Sequence, residues 1–163
     1  MDEVTVLGID PGLGITGYGI IGICKGSERL IEGGIIRTDK RKSLSYRLKE
    51  IFDEAVNLLK QFQPESVVVE ELYVHYSHPR TAVIMGHARG AVLLAAAASD
   101  VPVISYSATR IKKSLTGNGH ASKGQVRRMV MARLGLPVVP EPEDVSDGLA
   151  AALCHASVVM RLK

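Results

Sequence analysis

Acidic side chains are the residues of this chain whose positions best indicate chemistry. Asp10 follows an apolar run at residues 4–9 and precedes Pro11 and Gly12. The run predicts a strand that ends in a turn, and α/β sheets commonly place ligands at strand ends. An aspartate before glycine also bonds its own backbone in many turns, so Asp10 alone fits either interpretation.

A second acidic position follows three consecutive valines. Glu70 and Glu71 come directly after residues 67–69, which leave no polar face and predict a buried strand. Adjacent strand residues point to opposite faces of a sheet, so only one glutamate can share a face with Asp10. A buried carboxylate needs a cation nearby, unless the strand simply emerges into solvent at this point.

The third acidic position is a pair with helical spacing. Asp144 and Asp147 are three residues apart, which places them on one face of a predicted helix near its start. The helix dipole stabilises negative charge there, although the same pattern arises if Asp144 only caps the helix. Together with Asp10 and one glutamate, these oxygens form the kind of set that binds Mg²⁺. Two such ions roughly 4 Å apart can hydrolyse a phosphodiester.

The distribution of charge says more than the net charge of +3. Residues 101–140 contain seven basic and no acidic side chains, and residues 141–147 then contain four acidic ones. A basic surface beside an acidic cluster is typical of a polyanion-binding face next to a metal site, although two solvated helix faces would give the same count. The basic residues are Arg110, Lys112, Lys113, Lys123, Arg127, Arg128 and Arg133.

Other metal chemistry and a membrane location are not indicated. Cys24 and Cys154 have no paired spacing, none of the five histidines has a zinc spacing, and His75 and His78 lie in a predicted loop that could approach substrate. We expect free thiols in a reducing cytoplasm. The sequence shows no secretory signal pattern, and the apolar run at residues 91–98 is too short to cross a bilayer.

The elements that must position these side chains follow from the hydrophobic pattern. Their order, βββαβαβααα, predicts one α/β domain over residues 1–163 with a mixed sheet. The second helix is apolar nearly all round and must be covered on two sides, by the sheet and by a second copy of the chain. Strands are predicted at residues 4–9, 17–23, 34–37, 66–70 and 101–106, and helices at 43–62, 78–99, 107–115, 122–134 and 144–162.

Several motifs in this order resemble RuvC-type Holliday junction resolvases over nearly the whole chain. The resemblance implies a ribonuclease H-like fold, with a five-stranded mixed sheet flanked by helices, and a homodimer with two active sites. The motifs are Gly-Ile-Asp-Pro-Gly at 8–12, Thr-Gly-Tyr-Gly at 16–19, Gln-Phe-Gln-Pro at 61–64, Val-Glu-Glu-Leu-Tyr at 69–73, the glycines and Arg89 of 86–90, and Asp-Val-Ser-Asp-Gly-Leu-Ala at 144–150.

The resemblance also implies roles for the acidic residues. Asp10, Glu70, Asp144 and Asp147 match the family's Mg²⁺ ligands, with two ions in each active site and Mn²⁺ as a possible substitute. Glu70, rather than Glu71, occupies the family's acidic position. The role of Glu71 is not defined by the resemblance.

DNA contacts and partners are implied in the same way. Tyr73 stands where the family carries an aromatic residue, usually Phe, that wedges against bases at the junction centre. Lys112 and Lys123 fall on the family's basic positions near the scissile phosphate. The implied substrate is a four-way DNA junction nicked symmetrically, and the implied partner is a branch-migration complex of the RuvA and RuvB type. The histidine-rich loop at residues 74–80 departs from some relatives.

Three other functions compete with this interpretation. A related nuclease could act on RNA or on plain duplex. An actin-like ATPase would use residues 10–12 as a phosphate-binding turn, but that fold needs two such domains. A non-catalytic DNA-binding module would leave the acidic residues unexplained.

Overall fold

Five strands form one mixed sheet in a computed structural model that describes residues 3–74 and 77–162. The sheet order is β3-β2-β1-β4-β5, with β1, β4 and β5 parallel and β2 antiparallel to both of its neighbours. The strands are β1 (Val4–Asp10), β2 (Ile15–Cys24), β3 (Ser27–Arg37), β4 (Ser66–Glu70) and β5 (Val103–Tyr106), and the helices are α1 (Leu44–Phe62), α2 (Pro79–Ala98), α3 (Ala108–Thr116), α4 (Lys123–Leu134) and α5 (Glu143–Val159).

The third strand is the element that the sequence prediction underestimated. A strand was expected only at residues 34–37, whereas β3 covers Ser27–Arg37 and pairs with β2 along its length. β3 is an edge strand, and polar residues such as Glu28 and Glu32 interrupt its apolar pattern. Pairing with a buried neighbour therefore extends the strand beyond what its own composition indicates.

Helices cover both faces of the sheet, which explains the three valines of β4. Val67 and Val69 are fully buried against α1 and α2, and Val68 is fully buried against the layer that contains α3, α4 and α5. Because successive strand residues alternate between faces, a strand covered on both sides is apolar throughout. β4 therefore lies between two hydrophobic cores, one on each face of the sheet.

Glycines bring α5 into direct backbone contact with the sheet. A Cβ atom added at Gly8 of β1 would lie 2.0 Å from the carbonyl oxygen of Gly148 in α5. One added at Gly17 of β2 would lie 1.9 Å from the carbonyl oxygen of Asp144. Only residues without a side chain permit this approach. The start of α5 is consequently fixed beside the end of β1.

The second helix leaves an apolar face uncovered in the single chain. Val83 is 60% exposed and Leu94 is 61% exposed, although α2 also packs on α1. By length and composition alone, α2 is the one helix in residues 3–74 and 77–162 that could cross a membrane, a test that core helices of soluble proteins also pass. The exposed face indicates a surface that needs a partner.

Replacing Gly8 with Ala should strongly destabilise the fold, because the new methyl group would meet the rigid backbone of α5. We expect the free energy of unfolding to fall by about 3 kcal/mol or more, measured by urea denaturation. Gly124→Ala is the matched control, since a Cβ there meets only ordinary van der Waals contacts in α4. It should leave stability unchanged or raise it by about 1 kcal/mol. Equal losses in both variants would contradict the account.

Candidate active site

Two neighbouring parallel strands place the first two acidic side chains together. Val69 is in register with Ile9, so Asp10 and Glu70, one residue further along each strand, end the two strands side by side. Antiparallel β2 lies on the other side of β1 and supplies the close contact between Gly17 and α5. Because β1 and β4 are parallel neighbours in the sheet, Asp10 and Glu70 lie side by side, which the sequence could not establish from each strand end separately.

The first turns of α5 supply the other two acidic side chains. The N-cap residue is Pro142, and Asp144 is the second residue of the helix, so it does not occupy the capping position. No side chain caps this helix among the described residues. The capping explanation for Asp144 is therefore wrong. Asp144 lies in the first turn, where the helix dipole favours negative charge, and Asp147 lies in the second turn.

All four acidic side chains line one cavity of about 570 Å³, which we call the acidic cleft. The two lysines expected near the scissile phosphate line it as well. Lys123 is the first residue of α4, and its Nζ atom lies 3.8 Å from Oδ2 of Asp147. The lining residues are Asp10, Glu70, Met85, Ala108, Ile111, Lys112, Lys123, Val126, Pro142, Glu143, Asp144, Asp147 and Ala150.

The acidic cleft is electrostatically unfavourable without a cation. Burial, followed by repulsion from Asp147, Glu70 and Asp144, raises the pKa of Asp10 to about 7. Burial also raises the pKa of Glu70 and of Asp147 above their ordinary values, although Lys123 opposes both shifts. Shifts of this kind are typical of functional sites, because a structure built for stability alone avoids crowded acids.

The donor set suits a hard divalent cation. Such ions prefer carboxylate oxygens. The four carboxylates expected as ligands line the acidic cleft and come from β1, β4 and α5. In residues 3–74 and 77–162, no three His, Cys, Asp or Glu side chains are arranged to hold an ion as they stand. The metal site therefore stays a prediction that the chemistry of the cleft supports.

The segment after β4 carries the expected aromatic residue. Tyr73 is 78% exposed and lines a smaller cavity of about 90 Å³ that also touches Asp10, Glu70 and Glu71. Glu71 lines only this smaller cavity and not the acidic cleft, which agrees with the choice of Glu70 as the ligand. His75 lies outside the described residues.

Arg89 is a candidate functional residue that the sequence interpretation used only as part of a motif. Its Nε atom donates a hydrogen bond to the carbonyl oxygen of Glu70, at 3.2 Å, and its Nη2 atom donates to Oγ of Ser105, at 2.9 Å. Arg89 thus ties α2 to the ends of β4 and β5. A signal existed in the sequence, because Arg89 is the sole charged residue in the apolar stretch 82–98.

Arg127 and Lys113, two of the basic residues between positions 101 and 140, lie in different environments. Arg127 is half-buried and forms an ion pair with Glu143, and it also lowers the pKa of Asp147. Its Nε atom is buried with no hydrogen-bond partner among the described residues. Lys113 lines a separate cavity on the other side of α3. Arg127 is therefore part of the wall behind the acidic residues, rather than solvated surface.

The five-stranded mixed sheet with its acidic cleft has the architecture of the ribonuclease H-like fold. A structure of the yeast mitochondrial Holliday junction resolvase Ydc2 shares this fold with a TM-score of 0.66 at 11% identity, and it covers 96% of this chain and 82% of that chain. The fold class expected from the sequence is confirmed.

The particular family follows from closer comparisons. Residues 6–155 match the family described as crossover junction endodeoxyribonuclease RuvC. A protein of that name from Desulforamulus reducens is 43% identical over 93% of this chain and 92% of its own length. The Thermus thermophilus RuvC, solved in complex with a Holliday junction substrate, superposes with a TM-score of 0.89 at 36% identity, covering 97% of this chain and 96% of that chain. This chain belongs to the RuvC family of crossover junction endodeoxyribonucleases, which are metal-dependent nucleases.

Replacing Asp10 with Asn should stabilise the metal-free protein. The pKa of Asp10 is raised from 3.8 to about 7 in the folded state, so its ionisation disfavours folding increasingly as the pH rises between these values. The variant's advantage should grow over that range, level off above pH 7 and reach roughly 1–3 kcal/mol. Thermal and urea unfolding in EDTA at pH 5 and pH 8 measure it. Exposed Glu71, changed to Gln, is the control and should change stability by less than about 0.5 kcal/mol.

Arg89→Met should slow DNA cleavage by roughly 10- to 100-fold, because the end of β4 that carries Glu70 loses its anchor. Arg47→Met is the matched control, since Arg47 also donates to one hydroxyl, of Thr38, and one carbonyl, of Leu13. Both variants should lose similar stability, and Arg89→Lys should recover part of the rate. Single-turnover cleavage and junction affinity are measured separately. Equal rate losses in both arginine variants would show a general stability effect.

Proposed function

We propose that this chain resolves Holliday junctions by metal-dependent hydrolysis of phosphodiester bonds in paired strands, during recombination and repair. The observation that carries the proposal is the acidic cleft, where the four proposed ligands, a fifth carboxylate (Glu143) and two lysines line one cavity and come from five elements. The family match and the solved relative in complex with a Holliday junction substrate support this substrate over RNA or plain duplex. Neither an actin-like ATPase nor a non-catalytic DNA-binding module would explain why acidic residues and lysines line the same cavity.

Asp10, Glu70, Asp144 and Asp147 are the proposed ligands and catalytic residues. They hold two Mg²⁺ ions, and Mn²⁺ can replace them because both metals accept carboxylate oxygens. When bound, such ions lower the pKa of an attacking water and stabilise the leaving oxygen. The protein contributes a fixed frame, since the strand ends and α5 hold the four acids on one side of the cleft.

Lys112 and Lys123 bind and orient the DNA backbone at the cleavage point. Both line the acidic cleft from α3 and α4, opposite the strand ends. Burial raises the pKa of Glu70, and the positive charges of Lys112 and Lys123 oppose that rise. Phosphate contacts of this kind fix register but carry no sequence information.

Tyr73 is proposed to stack on a base near the junction centre. It is exposed beside the acidic cleft, at the end of the segment that follows Glu70. An aromatic ring that stacks on a base contributes roughly 1–3 kcal/mol in single-strand binding. The position of Tyr73 thus couples recognition of unpaired bases to the chemical centre.

The functional unit is proposed to be a homodimer formed through α2. The exposed apolar side chains Val83 and Leu94 lie along one face of this helix, and a groove of about 440 Å³ opens between α1 and α2. A second copy with two-fold symmetry would bury this surface and present two equivalent cleavage centres to a four-way junction. That symmetry accounts for paired, symmetric nicks.

Changing exposed Leu94 to Glu should dissociate the dimer, because a carboxylate would be buried in an apolar interface without a partner. Val138→Glu is the matched control, since Val138 is 70% exposed in the loop before α5. Sedimentation or size-exclusion measurements at micromolar protein should show monomers only for the Leu94 variant. A wild-type chain that is monomeric at these concentrations would contradict the proposal.

Three further features complete the proposed setting of the enzyme. One sheet contains all five described strands, which supports a single nuclease domain over residues 1–163. The free cysteines Cys24 and Cys154 fit a reducing cytoplasm. Family membership supports a branch-migration complex of the RuvA and RuvB type as a partner.

Single substitutions of the proposed ligands test the function. Asp10→Asn and Glu70→Gln should retain junction binding within about threefold and reduce the cleavage rate by 10³-fold or more, as expected when a metal site is lost. Cleavage of a four-way junction and of a plain duplex is measured in Mg²⁺ and in EDTA. Glu71→Gln is the control and should cleave normally. Persistent cleavage in both ligand variants, or equal cleavage of the duplex, would refute the assignment.

A further inference from the structure

A second cavity, of about 290 Å³, lies between α3 and the end of α5. We call it the α3–α5 cleft. Three basic side chains, two hydroxyls and one thiol line it, and none of the described residues that line it is acidic. The lining residues are Arg110, Lys113, Ser114, Gly117, Cys154, Ser157, Val158 and Arg161.

Packing explains why these cations face one cavity. In α3, Ile111 and Leu115 are buried in the core and turn the opposite side of the helix, with Arg110 and Lys113, to the solvent. The guanidinium of Arg110 lies 4.6 Å from the centre of the Tyr106 ring. That contact holds the positive charge in place without neutralising it, because an aromatic face attracts a cation and remains uncharged.

The floor of the cleft is polar and is held by neighbouring elements. Cys154 is fully buried, and Ser157 Oγ donates to the carbonyl oxygen of Leu153 at 3.2 Å. Arg133 donates to the same Oγ atom at 3.2 Å, and its guanidinium also pairs with Glu28. The nearest acidic side chain in these contacts is therefore already engaged, and the cations at the rim keep an excess of positive charge.

The α3–α5 cleft and the acidic cleft lie on opposite sides of α3. Ala108 and Lys112, one turn apart on α3, line the acidic cleft, whereas Arg110 and Ser114 on the other side of α3 line the α3–α5 cleft. Along α5, Ala150 lines the acidic cleft and Cys154, one turn further on the same face, lines the α3–α5 cleft. An α-helix with its side chains is roughly 10 Å wide, which corresponds to roughly three steps of a DNA strand at 3.4 Å each.

We propose that the α3–α5 cleft is a phosphate-binding subsite that holds the DNA backbone a few nucleotides from the cleavage point. Arg110, Lys113 and Arg161 supply the charge, and the hydroxyl groups of Ser114 and Ser157 line the same space. The subsite rests on the proposed function, since it takes its ligand from the strand that occupies the acidic cleft. It positions DNA and takes no part in the chemical step.

The salt dependence of junction binding tests the subsite. The double variant Lys113→Gln with Arg161→Gln changes two exposed side chains and should fold normally, which circular dichroism and thermal unfolding check. Without divalent metal, its junction affinity should fall about tenfold at moderate salt. The slope of log affinity against log salt should become shallower by about 1.8, the value for two lost phosphate contacts.

A matched control removes the same charge elsewhere. Lys25 lies in the turn between β2 and β3, and Lys60 lies in the last turn of α1. The double variant Lys25→Gln with Lys60→Gln should leave the slope unchanged. A slope change of equal size in both double variants would overturn the proposal, because it would reflect overall charge. An unchanged slope in the Lys113 and Arg161 variant would also overturn it.

Two further measurements are needed. The first distinguishes a DNA phosphate from free phosphate as the ligand, and the second distinguishes failure of the subsite from failure of the proposed nuclease function. Calorimetric titration with inorganic phosphate should show weak, millimolar binding to the wild type. Tight micromolar binding of inorganic phosphate, with no change in the junction slope, would assign the cleft to a free phosphate and refute the DNA subsite. Cleavage by the wild type in Mg²⁺ is assayed in parallel, so a failure of the nuclease function is seen separately from the binding slope.

Discussion

The close approach of α5 to the sheet is the constraint on which the site depends. Gly8 lets β1 touch the backbone of α5, Gly148 lets α5 touch the backbone of β2 at Tyr18, and Gly17 admits the backbone of Asp144. A side chain at these positions would push the helix outward by more than an ångström. Asp144 and Asp147 would then move away from Asp10. Local geometry at three glycines therefore determines whether the acids form a site.

The same arrangement carries an electrostatic cost. Burial and neighbouring charges raise the pKa of Asp10 to about 7, and burial raises those of Glu70 and Asp147. The hydrophobic cores on both faces of the sheet offset this cost, since most residues of β1, β2, β4 and α5 are buried. A divalent cation would remove the repulsion.

The sequence predicted the strands and helices that have strong local patterns. The three valines before Glu70 identified β4, and the spacing of Asp144 and Asp147 placed both in the first turns of α5. The length of β3 could not be predicted, because pairing with β2 decides it and Glu28 and Glu32 obscure the pattern. The lone charge of Arg89 in an apolar helix was visible in the sequence, but its partners could not be predicted, since the hydrogen bonds to Glu70 and Ser105 join residues that are distant in the chain.

The order of the acids along the chain has a consequence for biosynthesis. Asp10 lies on the first strand, whereas Asp144 and Asp147 lie on the last helix, and β4, which carries Glu70, pairs with β1 in the sheet. A ribosome makes the chain from the first strand onward, so a nascent or truncated product holds the beginning of the proposed site without its end. Cleavage through the proposed four-acid site would therefore require a chain that has been synthesised through α5.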